Sequence, residues 1–433
     1  MEKVLFTKEM RDAGYTILVP DMNHIHFKII KGILQNHGYN VDILYNTGRS
    51  VVDEGLKHVH NDTCYPALLV IGQMIDALKS GKYDIHKVAL LLPQTGGGCR
   101  ASNYISLLRK ALNAMGWGFI PIISINVSGL EKSPGFKLTP GLVRQMLTAV
   151  VYGDLLMLLD NQVKPYEVNK GDSAACVDMW INALLKGFLS GRGLSKGERR
   201  ENLKAIVQSF ARIPRTDEKK IKVGIVGEIY VKYAALGNNS LEQFLYEQGC
   251  EVMLGGLLDF ALYCVDTPID TIDIYGGSKL TRETYKLVES YLCSLKDEMI
   301  AAVRENSDFV APSSFRHLKS KADGVISTGC KMGEGWLLTA EIMELVELGY
   351  CNVICAQPFG CLPNHIVGKG MIRKIRNLEP RANIVPIDYD PGATRVNQEN
   401  RIKLMLAVAA EDGDTAAAES EVHDTEIKET VNV

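Results

Sequence analysis

The sequence predicts an α/β protein with two open parallel-sheet α/β domains, joined by a helical segment. Short runs that are apolar at almost every position, such as 87–92 and 222–227, alternate along the chain with amphipathic helical segments. Such runs are typical of parallel strands that are covered by helices on both faces. The length of 433 residues also exceeds the size at which a single hydrophobic core tends to divide. We therefore expect two domains.

The first predicted domain spans residues 1–192 and carries the alternation of strand and helix that βαβ units require. Its predicted strands lie at 16–19, 41–44, 87–92 and 118–125, and its predicted helices at 26–36, 65–78 and 101–114. Residues 139–192 are predicted to be mostly helical, as an extension of this domain.

The second predicted domain spans residues 222–410. Before it, residues 193–221 form a highly charged predicted linker around one amphipathic segment. The predicted strands of the second domain are 222–231, 250–254, 324–327, 352–356 and 383–388, with helices at 239–249, 337–348, 366–377 and 393–410. Residues 411–433 contain eight acids and one lysine and no core pattern, which predicts a disordered acidic tail.

Composition excludes several classes of function. The net charge is −3, which gives no electrostatic reason to expect a nucleic-acid partner or an anionic membrane surface. The first ten residues contain acids and lack the basic and then apolar layout of a secretory signal. No window approaches 18 uncharged apolar residues, so we expect no membrane and a cytoplasmic protein.

Five of the ten cysteines follow predicted strands or begin predicted helices. Ligands of open parallel sheets bind at the carboxyl ends of strands, and a helix N-terminus stabilises a thiolate. Metal ligation is therefore the functional interpretation for these five, and burial as small apolar side chains is the alternative. The five are Cys64, Cys99, Cys330, Cys355 and Cys361.

The remaining cysteines carry a weaker signal. Cys250, Cys293 and Cys351 are expected to pack in the interior, whereas Cys176 and Cys264 stay open between packing and ligation. The chain contains no C-x-x-C pair, which weakens the zinc-ribbon, ferredoxin and thioredoxin-like interpretations together. The expected ligands are scattered over both domains, so a cluster would lie between them.

Glycines and two polar residues complete the predicted site. Gly96, Gly97 and Gly98 precede Cys99, and Gly360 precedes Cys361, so the backbone can come close to a bulky ligand at both places. Glu334 and His365 are candidates for proton transfer. For Glu334, helix capping or support of a cluster is an equal alternative, and for His365 the alternative is a structural hydrogen bond.

Five longer motifs resemble one protein superfamily. They are NDTCYPA, QTGGGCRASNY, GEGWLLTAE, QPFGCLPNHIVGKG and IDYDPGATRVNQENR. Together they are similar to the cluster-binding proteins related to 2-hydroxyacyl-CoA dehydratases and benzoyl-CoA reductases. More narrowly they resemble the double-cubane cluster proteins and the C-terminal region of the fused acyl-CoA dehydratase activases. The resemblance extends to about residue 410.

The resemblance implies an anaerobic iron-sulfur oxidoreductase that is a homodimer. Its low-potential cluster would be reduced by a separate ATP-hydrolysing activase and would pass electrons to a small unsaturated substrate. In the double-cubane members the cluster is [8Fe-9S] and needs six thiolates. Carried over by motif, Cys64, Cys99 and Cys361 would hold one cubane; Cys330, Cys355 and Cys176 would hold the second, with Cys264 as the rival of Cys176.

Three other functions stay open at the level of sequence. One is a 2-hydroxyacyl-CoA dehydratase component, a lyase with a single [4Fe-4S] cluster, in which Cys330 and Cys176 would be bystanders. Another is a non-catalytic electron carrier or cluster scaffold. The last is a structural zinc protein, which would need four ligands around one ion.

Overall fold

The computed structural model describes residues 3–60, 62–94, 98–125 and 133–411. It contains two four-stranded sheets, each parallel throughout and each covered by helices. The predicted class of two parallel-sheet α/β units is therefore confirmed. The tail predicted at 411–433 lies outside the described residues except for Glu411, which is helical.

The first sheet has the strand order β2-β1-β3-β4. In its register Ile17 pairs with Val41 on one side and with Ala89 on the other. The strands are β1 (Thr16–Pro20), β2 (Asn40–Leu44), β3 (Val88–Pro93) and β4 (Ile122–Ile125). The helices are α1 (Lys8–Asp12), α2 (His24–Asn36), α3 (Arg49–His58), α4 (Tyr65–Lys79), α5 (Tyr104–Ala114), α6 (Pro140–Val163) and α7 (Asp172–Leu189), with a 3₁₀ turn at Arg100–Asn103.

The second sheet repeats the same pattern with the order β6-β5-β7-β8. Its strands are β5 (Ile221–Gly227), β6 (Cys250–Leu254), β7 (Asn352–Pro358) and β8 (Asn383–Tyr389). Its helices are α8 (Lys196–Ala211), α9 (Ile229–Tyr233), α10 (Ala235–Asn238), α11 (Leu241–Glu247), α12 (Leu257–Tyr275), α13 (Lys279–Asn306), α14 (Phe315–Ser320), α15 (Trp336–Glu347), α16 (Leu362–Val367), α17 (Ile372–Leu378) and α18 (395–411), with a 3₁₀ turn at Lys369–Met371.

The predicted linker 193–221 contains a packed helix. Helix α8 begins with a capping box, in which Ser195 and Glu198 satisfy each other's backbone N–H groups. Its apolar side is fully buried against α6 and α13, and Phe210 is 0% exposed. The charged residues of this segment therefore lie on the solvent side of a helix. The chain passes from the first sheet to the second through this helix, which packs against α6 and α13.

The strand predicted at 324–327 is a turn. Val325 is buried, which explains the apolar pattern, but its neighbours form hydrogen-bonded turns back to Ala322. Strand β7 already pairs with β5 on one side and with β8 on the other. Residues 324–327 are therefore not inserted beside β7, and the N–H groups of Val325 and Ile326 both donate to the carbonyl of Ala322.

Helix α6 lies between the two sheets. It is 24 residues long and, by length and composition alone, apolar enough to cross a membrane. Of its most apolar window, 67% is buried inside the protein, where α6 packs against α2, α8, α12 and strand β6. The helix is therefore accounted for as a core helix, as in a soluble protein.

The common strand order fixes where ligands can bind. In each sheet the chain leaves the first strand toward one edge and returns to build the other edge. The connections therefore diverge at the carboxyl ends of β1 and β3, and likewise at those of β5 and β7, which opens a crevice at each place. The loops after β3, β5 and β7 meet in one cavity.

Glycine allows α3 and α4 to pack closely. A methyl group on Gly72 of α4 would collide with the backbone oxygen of Val51 and would lie 2.8 Å from the backbone nitrogen of Gly55. We expect Gly72→Ala to lower the free energy of unfolding by about 1–3 kcal/mol, the cost typical of overpacking. Urea denaturation of both proteins measures this change.

Gly197→Ala is the matched control, because no atom lies within 4 Å of the added methyl in helix α8. Alanine should leave stability unchanged there or raise it by about 1 kcal/mol. Equal midpoints for Gly72→Ala and the wild type would show that the two helices do not pack as described.

Candidate functional site

Three cysteines from distant parts of the chain line one cavity of about 370 Å³. Cys64 precedes α4, Cys99 precedes the 3₁₀ turn after β3, and Cys361 precedes α16 after β7. The sequence predicted helix starts at Cys64 and Cys99 and a loop after a strand at Cys361, where the structure has the start of a further helix. The structure adds that the three starts converge, although two of the cysteines belong to one sheet and the third to the other.

Each of these thiols occupies the N-cap position of the helix or turn that follows it. Pro66 and Pro363 stand in the first turns after Cys64 and Cys361, where the missing proline N–H removes no helical hydrogen bond. A thiolate at an N-cap position is stabilised by the backbone N–H groups of the first turn.

Backbone amides act on all three thiols, but burial outweighs them. The N–H groups of Ala67, Ala101 and Asn364 lower the pKa values of Cys64, Cys99 and Cys361 respectively. Burial nevertheless raises all three pKa values, that of Cys99 to about 11. The thiols are therefore neutral at neutral pH, and a positive charge beside them would favour their ionisation.

A tyrosine contacts the first of the three thiols. The hydroxyl of Tyr104 lies 3.0 Å from the Sγ of Cys64, and the side chain is buried at the start of α5. Tyr104 follows Cys99 by five residues, so one short segment supplies both a thiol and a hydroxyl to the cavity.

Two carboxyl groups, of the half-buried Glu228 and the buried Glu334, share the cavity with the thiols. Glu228 directly follows β5 and accepts a hydrogen bond from the N–H of Val231 at 2.9 Å. Glu334 accepts one from the N–H of Ile229, also at 2.9 Å. Burial and the charge of Glu334 raise the pKa of Glu228 to about 8, and burial also raises that of Glu334. At neutral pH the pair therefore retains a proton.

Glu228 was missed by sequence reasoning, whereas Glu334 was predicted. The available signal was its position, because Glu228 is the first residue after the apolar strand KVGIVG. Polar residues at the carboxyl end of a buried parallel strand are candidates for ligand contact. Applied to cysteines alone, this rule does not select Glu228.

Two of the four predicted glycines allow close approach of the loops. Gly360 has a φ of +73°, and a methyl group there would lie 3.1 Å from the Cα of Cys64. The side chain of Met332 covers Gly98 so closely that a methyl group would collide with its sulfur. Gly96 and Gly97 lie outside the described residues.

The loops that carry Cys64 and Cys361 are also hydrogen-bonded to each other. The N–H of Tyr65 donates to the carbonyl of Phe359 at 2.9 Å. Together with the approach of Gly360, this bond joins the two halves of the chain at the rim of the cavity. The positions of the two thiols are therefore fixed relative to each other by the backbone.

The other predicted ligands do not line this cavity. Cys355 is 0% exposed within β7, and its Sγ accepts a hydrogen bond of 2.7 Å from Gln357. Cys330 is exposed in the loop before α15, and its carbonyl accepts the N–H of Trp336. Cys176 is half-buried in α7, where burial and Asp160 raise its pKa to about 11.

Cys264 and His365, two further candidates from the sequence, do not line the cavity. Cys264 is exposed on α12, but the surrounding protein atoms and the charge of Glu334 raise its pKa to about 12. His365 is half-buried on α16, one turn after Cys361, and is not among the lining residues. Of the two predicted proton-transfer residues, only Glu334 reaches the cavity.

The donor groups of the described residues are not spaced for a single metal ion. Across residues 3–60, 62–94, 98–125 and 133–411, no three His, Cys, Asp or Glu residues lie close enough to hold one metal ion. The three thiols instead surround an open volume, and a cubane of iron and sulfide holds its thiolates further apart than one ion does.

Comparison with known proteins gives no assignment. No family model matches this chain. A search of curated proteins finds no matching relative.

The carboxyl pair makes the stability of the metal-free protein depend on pH. The folded pKa of Glu228 is raised from 4.5 to about 8, so its contribution is fully present below pH 4.5 and is lost as the pH rises through about 8. We expect Glu228→Gln to remove this loss, which amounts to at most about 1.4 kcal/mol per pH unit. Urea denaturation between pH 5 and pH 9, roughly the window in which this group titrates, measures it.

The exposed Glu201 of α8 offers the control. Glu201→Gln should preserve the wild-type slope of stability against pH. If Glu228→Gln has that same slope, the carboxyl group of Glu228 is not protonated in the folded protein and the description of the pair is wrong.

Proposed function

We propose that this chain is an iron-sulfur redox protein whose cluster is held by Cys64, Cys99 and Cys361. It would take electrons from an ATP-hydrolysing activase and reduce a small unsaturated molecule. The observation that carries the proposal is the convergence of three N-capping cysteines from both sheets in one cavity. The motifs that resemble the dehydratase and reductase superfamily contain these same three cysteines.

The residues of the cavity fit such a group. Three soft sulfur donors are the ligands that iron-sulfur clusters use, and three thiolates leave one iron of a cubane without a protein ligand. Backbone N–H groups of the first helical turns face the sulfurs and stabilise their negative charge. The remaining volume is covered by Met332, Leu362 and Ile366, which reduce the access of water.

When bound, the cluster would supply low-potential electrons for reduction. The chain itself would bind and orient the cluster through the three thiols. Glu228 and Glu334 would hold a proton within the same cavity, and this pair is the nearest source of a proton for a reduced product. The exposed apolar side chains of Leu362 and Ile366 at the mouth would favour an uncharged substrate over an anionic one.

A second candidate is the dehydratase component with a single [4Fe-4S] cluster. It is favoured by one observation, that only three of the ten cysteines line the cavity. A double-cubane [8Fe-9S] cluster needs three further thiolates, and Cys176, Cys330 and Cys355 lie elsewhere in this conformation. The loop of Cys330 also carries Met332 and Glu334, so Cys330 is the candidate that the least movement would bring to the cavity.

A cytoplasmic location and a homodimer are part of the proposal. All ten cysteines are free thiols in the structure, as expected in the reducing cytoplasm. The further partner in this proposal is the activase, which would deliver electrons to the cluster.

Iron and acid-labile sulfide, measured per subunit after anaerobic purification, test the proposal. About four of each would indicate a single cubane, and about eight iron with nine sulfide a double cubane. We expect serine replacement of any one of Cys64, Cys99 and Cys361 to lower iron content severely and to abolish the EPR signal of the reduced protein.

Cys293→Ser is the matched control, because Cys293 is half-buried in α13 and lies outside the cavity. It should retain wild-type iron. Serine replacement of Cys330 separates the two candidates, because loss of about half the iron would assign it to a second cubane. Zinc without iron, or full iron in all three serine variants of the cavity, would refute the proposal.

A further inference from the structure

The hydroxyl of Tyr104 is aimed at a proposed cluster ligand from inside the protein. It lies 3.0 Å from the Sγ of Cys64, within the range of a hydrogen bond to sulfur. Tyr104 is 9% exposed, and the start of α5 holds it against the cavity. No other side-chain hydroxyl lines this cavity among the residues that the structure describes.

The direction of this hydrogen bond depends on the state of the thiol. In the ligand-free protein either group can donate. A cysteine that ligates iron has lost its proton, so only the phenol can donate in the loaded protein. Phenols keep their proton at neutral pH, and burial favours that state further.

A donor at a ligating sulfur has a defined effect on a cluster. It withdraws electron density from the sulfur and stabilises the reduced, more negative cluster more than the oxidised one. It also holds the side chain of Cys64 in the orientation that ligation requires. The segment from Cys99 to Tyr104 thus supplies one ligand directly and controls another.

We infer that Tyr104 is a positioning residue that donates a hydrogen bond to the cluster-ligating sulfur of Cys64 and raises the reduction potential of the cluster. The inference rests on the proposed function, because it requires a cluster at Cys64, Cys99 and Cys361. Tyr104 contacts no iron itself and acts through the cysteine.

Redox titration of Tyr104→Phe, followed by EPR on anaerobically purified protein, tests the inference. Phenylalanine keeps the ring and removes only the hydroxyl. We expect wild-type iron content and a midpoint potential shifted to a more negative value. Tyr65→Phe is the matched control, because Tyr65 is also buried and directly follows Cys64 in the chain but does not line the cavity. It should retain the wild-type potential.

A measurement on the unaltered protein makes the test independent of how the variant folds. Pulsed EPR of the reduced wild type in D₂O should show an exchangeable deuteron coupled to the cluster that is missing from Tyr104→Phe. An unshifted potential in Tyr104→Phe, or no such deuteron in the wild type, would overturn the inference. A wild-type protein without iron would overturn the proposed function instead.

Discussion

Desolvation of sulfur and carboxyl groups in one cavity is the constraint on which the site depends. Three thiols and two carboxyl groups lie there together, and burial raises the pKa of every one of them. Among the described residues that line the cavity, Arg100 is the one cation; it is exposed and lowers the pKa of Cys64 less than burial raises it. Negative charge in the cavity is therefore unfavourable until a positively charged group enters it.

The fold supports that arrangement by holding the two sheets in a fixed relation. Asp154 of α6 accepts hydrogen bonds from the N–H groups of Leu257 and Leu258, at the start of α12, and from the ring of His26. The first bonds are those of a carboxylate at a helix N-terminus, which the helix dipole stabilises. Because Asp154 and His26 belong to the first half and α12 to the second, the polar contact fixes the register of the interface.

The pattern of apolar residues determines how much of the fold could be predicted from the sequence. The apolar runs predicted the approximate positions of all eight strands. The rule that a cysteine at a strand end or helix start is a candidate ligand selected Cys64, Cys99 and Cys361. Cys355 shows the limit of that rule. It lies three residues before the end of β7, where alternation of the pleat points its side chain into the core beside Gln357.

Tertiary packing also determines the structure of two segments that the local sequence pattern does not predict. Residues 324–327 have the apolar composition of a strand because Val325 is buried in the core, but their backbone forms hydrogen-bonded turns to Ala322. Residues 193–221 have the charge of a linker, yet the 3.6-residue periodicity of α8 buries Leu203 and Phe210. In both cases the composition indicates correctly which residues are apolar or charged. It does not give the positions of the neighbouring elements, and these decide the structure.

The charge balance of the cavity connects the fold to the proposed chemistry. Loading with a cluster would convert three neutral thiols into three thiolates, and each added negative charge disfavours reduction of the cluster. A proton held by Glu228 and Glu334 reduces the negative charge by one, and donors at the sulfurs reduce its effect further. With few cations around it, a cluster bound here would have a low potential, and the cavity would still retain a proton that can accompany an electron. Both properties agree with the proposed function, and both follow from placing carboxyl groups beside thiols.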